Sequence, residues 1–81
     1  MLRYQKGGLV KTTANKALIS AREKTGLTQG QVANEAKITA RVYQYYEAGE
    51  RKPNVYTAQL IANALNVAVD DIFPLNLTET E

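Results

Sequence analysis

Residues 28–53 read TQGQVANEAKITARVYQYYEAGERKP, and this stretch decides the fold. Thr28 is followed three residues later by Gln31, the spacing of a capping box. In such a box a hydroxyl and an amide each satisfy a free backbone N–H at the start of a helix. Thr39 can cap a second helix, and Gly49 can end it because glycine readily takes the left-handed conformation. The stretch therefore predicts two short helices separated by a tight turn.

Helical patterns continue on both sides of this stretch. Apolar residues recur there at i, i+3, i+4 and i+7, the spacing that lines one face of a helix. The two stripes are Ala14, Ala17, Leu18 and Ala21, and Ala58, Ile61, Ala62 and Leu65. The predicted helices cover about residues 13–24, 29–36, 39–48, 55–65 and 67–73. Their predicted caps and stops include Thr12 or Thr13, Gly26, Asn54, Asn66 and Pro74. Since no run alternates with period two, the sequence predicts an all-α fold, a compact bundle of about five short helices.

Composition excludes several classes of function. The chain has 81 residues, 44% of them hydrophobic, which fits one small domain. It has no cysteine and no histidine, so disulfides, thiolate metal sites and histidine-dependent catalysis lack their residues. The adjacent acids Asp70 and Asp71 do not face one another on a helix. No apolar run approaches the roughly 18 residues of a membrane span. We expect a cytoplasmic protein that is not an enzyme, without metal, cofactor or small-molecule ligand.

Charge divides the chain into two unequal parts. Residues 1–52 carry all ten cations and four acids, a net charge of +6, whereas residues 53–81 carry four acids and no cation. This layout favours a basic working half that meets an anionic partner, although a solvated charged surface is the alternative. We predict a basic N-terminal extension over residues 1–12, a single domain over residues 13–74 and an acidic tail over residues 75–81.

The short turn between the second and third helices has the spacing of a helix-turn-helix. Over residues 18–73 the chain resembles the lambda-repressor-like (Cro/cI-type, XRE-like) helix-turn-helix family. The matching positions are Thr28, Gln29, Val32, Ala33, Ile38, Thr39, Tyr43, Tyr46, Glu47, Gly49, Pro53, Leu60, Leu65, Val67 and Ile72. Lys37 departs from the family, which usually places glycine there. A lysine with positive φ costs about 1 kcal/mol unless the turn takes another shape.

The resemblance implies a sequence-specific regulator of transcription, repressor-like, that binds double-stranded DNA. The third helix, about residues 39–48, would then lie in the major groove. Helical phase groups Tyr43, Tyr46 and Glu47 on one side and Arg41, Tyr45 and Ala48 on the other, with Gln44 on the flank. The resemblance places Tyr43 and Tyr46 at buried positions and Tyr45 at an exposed one. The residues expected to contact bases are Ala40, Arg41, Gln44 and Tyr45. Arg41 suits the O6 and N7 atoms of guanine, and a phosphate contact is its alternative.

Further residues are expected to fix the helix on the DNA. The residues expected to contact phosphates are Gln29, Lys37, Arg51 and Lys52. An N-terminal arm with Arg3, Lys6 and Lys11 could add to them. Arg22 and Glu47 resemble the family's ion pair between the first helix and the end of the third. Such a pair would set the angle of the recognition helix.

Proteins of this family usually bind two-fold operators as dimers, because one small helix contacts too few bases. The residues expected to form a homodimer contact are Val69, Ile72, Phe73, Leu75 and Leu77. They could equally complete the core of the monomer. A second function stays open, that of an antitoxin or adaptor with the same fold whose main partner is a protein.

Overall fold

The computed structural model describes residues 14–74, which form five α-helices and contain no strand. The helices are α1 Lys16–Thr25, α2 Gln29–Glu35, α3 Ala40–Ala48, α4 Val55–Leu65 and α5 Val69–Ile72. The predicted all-α bundle is therefore confirmed. The predictions for residues 1–12 and 75–81, including the basic arm and two of the dimer-contact leucines, lie outside the described residues.

Local signals set most of the helix ends. The Thr28 hydroxyl accepts a hydrogen bond from the Gln31 N–H at 3.0 Å, and the Gln31 side chain accepts one from the Thr28 N–H at 2.8 Å. The Thr39 hydroxyl caps α3 in the same way at 3.1 Å. Gly26 and Gly49 end α1 and α3 with φ of 79° and 76°, a conformation that favours glycine.

The start of α1 differs from the prediction. Asn15, rather than Thr12 or Thr13, caps this helix by accepting a hydrogen bond in its first turn at 3.0 Å. The Asn15 amide also donates to the Ile72 carbonyl at 2.7 Å, and the Asn15 N–H donates to the Glu47 carbonyl at 2.9 Å. One buried side chain and its backbone thus connect α1 to α3 and α5. Helix α1 therefore begins at Lys16, directly after the residue that makes these three hydrogen bonds.

The turn between α2 and α3 contains a strained residue. Lys37 has φ of 63°, so the lysine takes the left-handed conformation that the family usually gives to glycine. The N–H groups of Lys37 and Ile38 donate to the carbonyls of Asn34 and Ala33 at 3.2 and 3.0 Å. These bonds end α2 and hold the turn. Asn66 ends α4 with φ of 58°, as predicted, and asparagine tolerates this conformation better than lysine.

The core lies between the five helices, each of which contributes at least one buried side chain. Its buried members are Leu18, Val32, Ala33, Ala36, Tyr43, Ala58, Ile61, Ala62, Leu65, Ile72 and Phe73. The predicted stripe on α4 is buried throughout, whereas Leu18 is the one fully buried member of the α1 stripe. Ala17 is exposed, and Ala14 and Ala21 are half-buried. The core therefore depends on α4 more than the two similar sequence patterns indicate.

Candidate nucleic-acid interface

Helix α3 has one buried face and one exposed face. Tyr43 is fully buried and Glu47 is only 5% exposed. The predicted base-contacting residues lie on the other side, where Ala40, Arg41 and Gln44 are exposed. These two orientations follow from the helical period of 3.6 residues. Packing therefore leaves the polar side chains of α3 available to a partner.

Tyr45 and Tyr46 are intermediate between these faces. Tyr46 was predicted to be buried beside Tyr43, but it is half-buried. Its ring packs against that of Phe73 in a T-shaped arrangement, with ring centres 6.4 Å apart and planes at 84°. Tyr45 was predicted to be exposed and is also half-buried, with the guanidinium carbon of Arg51 4.4 Å from the centre of its ring.

An ion pair fixes the buried face of α3 to α1. Arg22 Nε lies 2.5 Å from Glu47 Oε2, and the two side chains are 17% and 6% exposed. The Arg22 guanidinium also donates to Glu47 Oε1 at 3.4 Å and to the Leu27 carbonyl at 3.0 Å. A planar guanidinium can make all of these bonds at once. The pair therefore connects α1, the α1–α2 loop and the last turn of α3.

The electrostatics of this cluster keep both partners charged at neutral pH. Burial alone would raise the pKa of Glu47, but hydrogen bonds from Arg22 and Gln29 outweigh it and lower the pKa below its ordinary value. The hydrogen bond with Glu47 raises the pKa of Arg22. Burial, together with the Glu47 carboxylate, raises the pKa of Tyr43, whose hydroxyl makes no hydrogen bond of good geometry within residues 14–74. The phenol therefore stays neutral beside the ion pair.

Gln29 has a role that the sequence did not indicate. Its amide N–H₂ donates to Glu47 Oε1 at 2.9 Å, and the residue is half-buried. The first turn of α2 is thus connected to the last turn of α3. The second amide hydrogen remains for a phosphate or water, and the amide oxygen can accept a hydrogen bond from water. The sequence predicted a phosphate contact for Gln29 but not its bond to Glu47, because Glu47 lies 18 residues away.

The three predicted cationic contacts flank α3. Lys37 precedes the helix and is exposed, and Arg51 and Lys52 follow it and are exposed as well. Arg51 and Lys52 line an open depression between the end of α3 and the start of α4, together with Tyr46 and Asn54. Both ends of α3 therefore carry positive charge.

The predicted dimer contact requires a correction. Ile72 and Phe73 are 1% and 3% exposed, so they belong to the core of the monomer. Val69 is half-buried and packs against the same core. Among the described residues, the large apolar side chains that are exposed are instead Val55 at 58% and Tyr56 at 70%. The sequence pattern of α4 did not single these two residues out.

Comparison with known proteins defines the class. Residues 18–72 match the family model described as helix-turn-helix, and the chain belongs to this family. The resemblance drawn from the sequence is therefore confirmed. The chain is also 34% identical over 55 residues to the cryptic phage CTXphi transcriptional repressor RstR of Vibrio cholerae serotype O1. That match covers 68% of this chain and 49% of the repressor, so the chain spans about half of the length of its relative.

A metal site and a membrane span receive no support from residues 14–74. Within residues 14–74 there is no group of acidic, histidine or cysteine side chains placed to hold a metal ion. No helix in the same residues is long and apolar enough to cross a membrane. The matching family is defined by a helix-turn-helix, which supports the expectation that the protein is not an enzyme.

Proposed function

We propose that the protein is a sequence-specific transcriptional regulator that binds double-stranded DNA with α3 in the major groove. One observation carries this proposal. The buried face of α3 is fixed by the Arg22–Glu47 pair, while Arg41 and Gln44 on its exposed face make no side-chain hydrogen bond within residues 14–74. A rigid helix with free polar side chains is what base recognition requires. The helix-turn-helix family and the named repressor relative support the same conclusion.

We assign the base contacts to the exposed face of α3. The Arg41 guanidinium suits a bidentate contact with guanine, and the Gln44 amide suits adenine. Ala40, in the first turn, can approach a thymine methyl group, and the hydroxyl of Tyr45 can bond a base edge. These residues lie within six positions on a single short helix. One subunit could therefore read only a few base pairs.

We assign the phosphate contacts to residues that flank α3. Lys37, Arg51 and Lys52 are exposed and positively charged, and Gln29 keeps one amide hydrogen for an anion. Contacts of this kind fix the position of a protein on DNA without reading its sequence. They also release counterions, which makes affinity depend on salt.

A homodimer on a two-fold operator would double the number of base pairs that a single copy of α3 can contact. With Ile72 and Phe73 buried, the proposed contact is reduced to Val69, Leu75 and Leu77. Deletion of residues 75–81 should therefore weaken self-association while α1 to α5 remain folded. Sedimentation of the intact chain as a monomer at tens of micromolar, with one copy bound per site, would contradict this proposal.

The salt dependence of duplex binding tests the proposed function. If each subunit neutralises about three phosphates, a dimer should give a log–log slope near −5 for affinity against salt. Lys52→Gln should make the slope shallower. Lys24→Gln is the matched control, because Lys24 lies beside Asp71 and Ile72 in the groove between α1 and α5 and should not change the slope.

Failure of duplex binding at low salt would contradict a DNA-binding function. The protein-interaction module, an antitoxin or adaptor with this fold, would then be the better interpretation. We also propose the cytoplasmic location that the sequence analysis expects.

A further inference from the structure

The loop after α3 folds back onto the helix. Gly49 takes a left-handed conformation with φ of 76°. The N–H of Gly49 donates to the Tyr46 carbonyl at 3.1 Å, and the N–H of Glu50 donates to the Tyr45 carbonyl at 2.9 Å. These two bonds reverse the chain direction over the last turn of α3. As a result, the Arg51 guanidinium carbon lies 4.4 Å from the centre of the Tyr45 ring.

This arrangement is a cation–π contact. The face of a tyrosine ring carries partial negative charge and attracts a guanidinium within about 6 Å of its centre. Tyr45 is half-buried, so packing restrains the ring, whereas Arg51 is exposed and long. A guanidinium over a ring face makes no hydrogen bond to that face. Its N–H donors therefore remain available for the oxygens of an anion.

We propose that Tyr45 is a positioning residue whose ring holds Arg51 in the orientation from which Arg51 binds a DNA phosphate beside α3. This inference rests on the proposed function and gives Tyr45 an indirect role, through Arg51, in place of a base contact by its hydroxyl. An arginine that is already ordered loses less side-chain entropy when it binds. Lys52 carries the same charge next to it but has no ring contact within residues 14–74, so it serves as an internal comparison.

A double-mutant cycle measures the coupling between the two side chains. The variants are Tyr45→Leu, Arg51→Gln and the double variant, each titrated with the best duplex site at about 0.1 M salt. Arg51→Gln should weaken binding about tenfold through the loss of one phosphate contact. Tyr45→Leu should weaken it about threefold through the loss of the cation–π contact. The double variant should bind no more weakly than Arg51→Gln alone, because the ring acts through the arginine.

Two further variants separate positioning from other roles of Tyr45. Tyr45→Phe keeps the ring and should recover most of the affinity that Tyr45→Leu loses. If Tyr45→Phe binds as weakly as Tyr45→Leu, the hydroxyl carries the effect and the inference is wrong. Lys52→Gln should cause the same fold-loss whether residue 45 is tyrosine or leucine, because Lys52 does not depend on the ring.

The salt slope gives a readout that a change in stability alone would not move. Tyr45→Leu should shift the slope toward that of Arg51→Gln, and thermal melting of both variants should stay within a few degrees of wild type. Tyr45→Gln provides a second variant without a ring if the leucine disturbs folding. If the wild type binds DNA but the fold-losses of affinity at positions 45 and 51 multiply in the double variant, only this inference is overturned. A wild-type protein that does not bind duplex DNA overturns the proposed function and this inference together.

Discussion

The two faces of α3 differ in how the protein fixes their side chains. On the buried face, Tyr43 is enclosed by the core and Glu47 accepts hydrogen bonds from Arg22 and Gln29. On the exposed face, the structure contains no hydrogen bond from the side chains of Arg41 and Gln44 to residues 14–74. One face determines where the helix lies, and the other is left for a partner. Substitutions on the two faces should therefore affect different measurements.

The largest expected effect is a difference in stability between substitutions at Tyr43 and at Tyr45. Tyr43→Ala removes a fully buried ring, which costs about 3–5 kcal/mol, a large part of the stability of a small domain. Tyr45→Ala removes a half-buried ring and a cation–π contact, and should cost less than about 1 kcal/mol. Tyr46→Ala should fall between them, since its ring is half-buried and packs against Phe73.

Thermal melts followed by circular dichroism measure all three variants. We expect Tyr43→Ala to melt far below wild type and Tyr45→Ala to melt within a few degrees of it. Equal losses at positions 43 and 45 would mean that the two faces are not energetically distinct. DNA affinity, measured at a temperature where each variant is folded, should decrease at position 45 alone.

The ion pair offers the next largest effect. Arg22→Met leaves Glu47 buried without its charged partner and should cost about 3 kcal/mol at neutral pH. Replacing both residues with methionine should recover most of this loss, because no buried charge remains. Urea unfolding of the two variants measures the difference. A double variant as unstable as Arg22→Met would indicate that packing around the pair, rather than its charge, is what matters.

The same pair predicts a pH dependence. The folded-state pKa of Glu47 is lowered, so its contribution to stability is complete above the ordinary glutamate pKa of about 4.3 and is lost as pH falls through the lowered value. In Arg22→Met the carboxyl remains buried without the guanidinium, and its pKa should rise. The deficit of Arg22→Met relative to wild type should therefore begin to shrink as the pH falls through the raised pKa of the variant, and should continue to shrink until the pH passes the lowered pKa of the wild type. A deficit that does not change with pH would contradict this account.

Sequence alone predicted the features that depend on neighbouring residues. The Thr28–Gln31 capping box, the Thr39 cap and the Gly49 stop need only a few consecutive residues, and the structure contains each of them. Helical phase likewise separated Tyr43 and Glu47 from the exposed side chains of α3. Since local hydrogen bonds decide these features, a sequence pattern is sufficient to find them.

Features that depend on distant residues were missed or misplaced. The start of α1 was predicted at a threonine because threonine is a good cap, but Asn15 caps it while bonding to Ile72, 57 residues away. The bond from Gln29 to Glu47 and the burial of Phe73 have the same origin, since each requires a partner brought close by the fold. The Arg51–Tyr45 contact depends on the chain reversal at Gly49.

The exposed face should respond in affinity rather than stability. Arg41→Ala should cost about 1–3 kcal/mol of binding on the best site and remove the preference at one base position per half-site. Lys52→Ala should weaken binding to all sequences to a similar degree, because a phosphate contact carries no sequence information. Selection from a randomised duplex library measures both patterns. A uniform loss for Arg41→Ala would assign Arg41 to a phosphate and leave Gln44 as the better candidate for base contact.

The smallest expected effect concerns Lys37. A substitution there should raise the stability of the fold and lower the affinity for DNA. Lys37 has φ of 63°, and Lys37→Gly should relieve left-handed strain of about 1 kcal/mol, partly offset by the greater freedom of glycine in the unfolded chain. The melting temperature should rise by about 2–4 °C. Gly26→Ala is the control, because φ is 79° there and an added methyl group meets no atom within 4 Å, so it should lose stability through the backbone alone.

The same Lys37→Gly variant should bind DNA more weakly, because it loses one proposed phosphate contact. Lys37→Asn sharpens the comparison. Asparagine already occupies the left-handed stop of α4 at Asn66, so this variant removes the charge without the full flexibility of glycine. Both variants should show equal losses of affinity and salt slope, with glycine the more stable. If Lys37→Gly instead lowers the melting temperature, the lysine side chain stabilises the turn by more than its strain. The main role of residue 37 would then be to position α3, as the residues of its buried face do, and not to contact DNA.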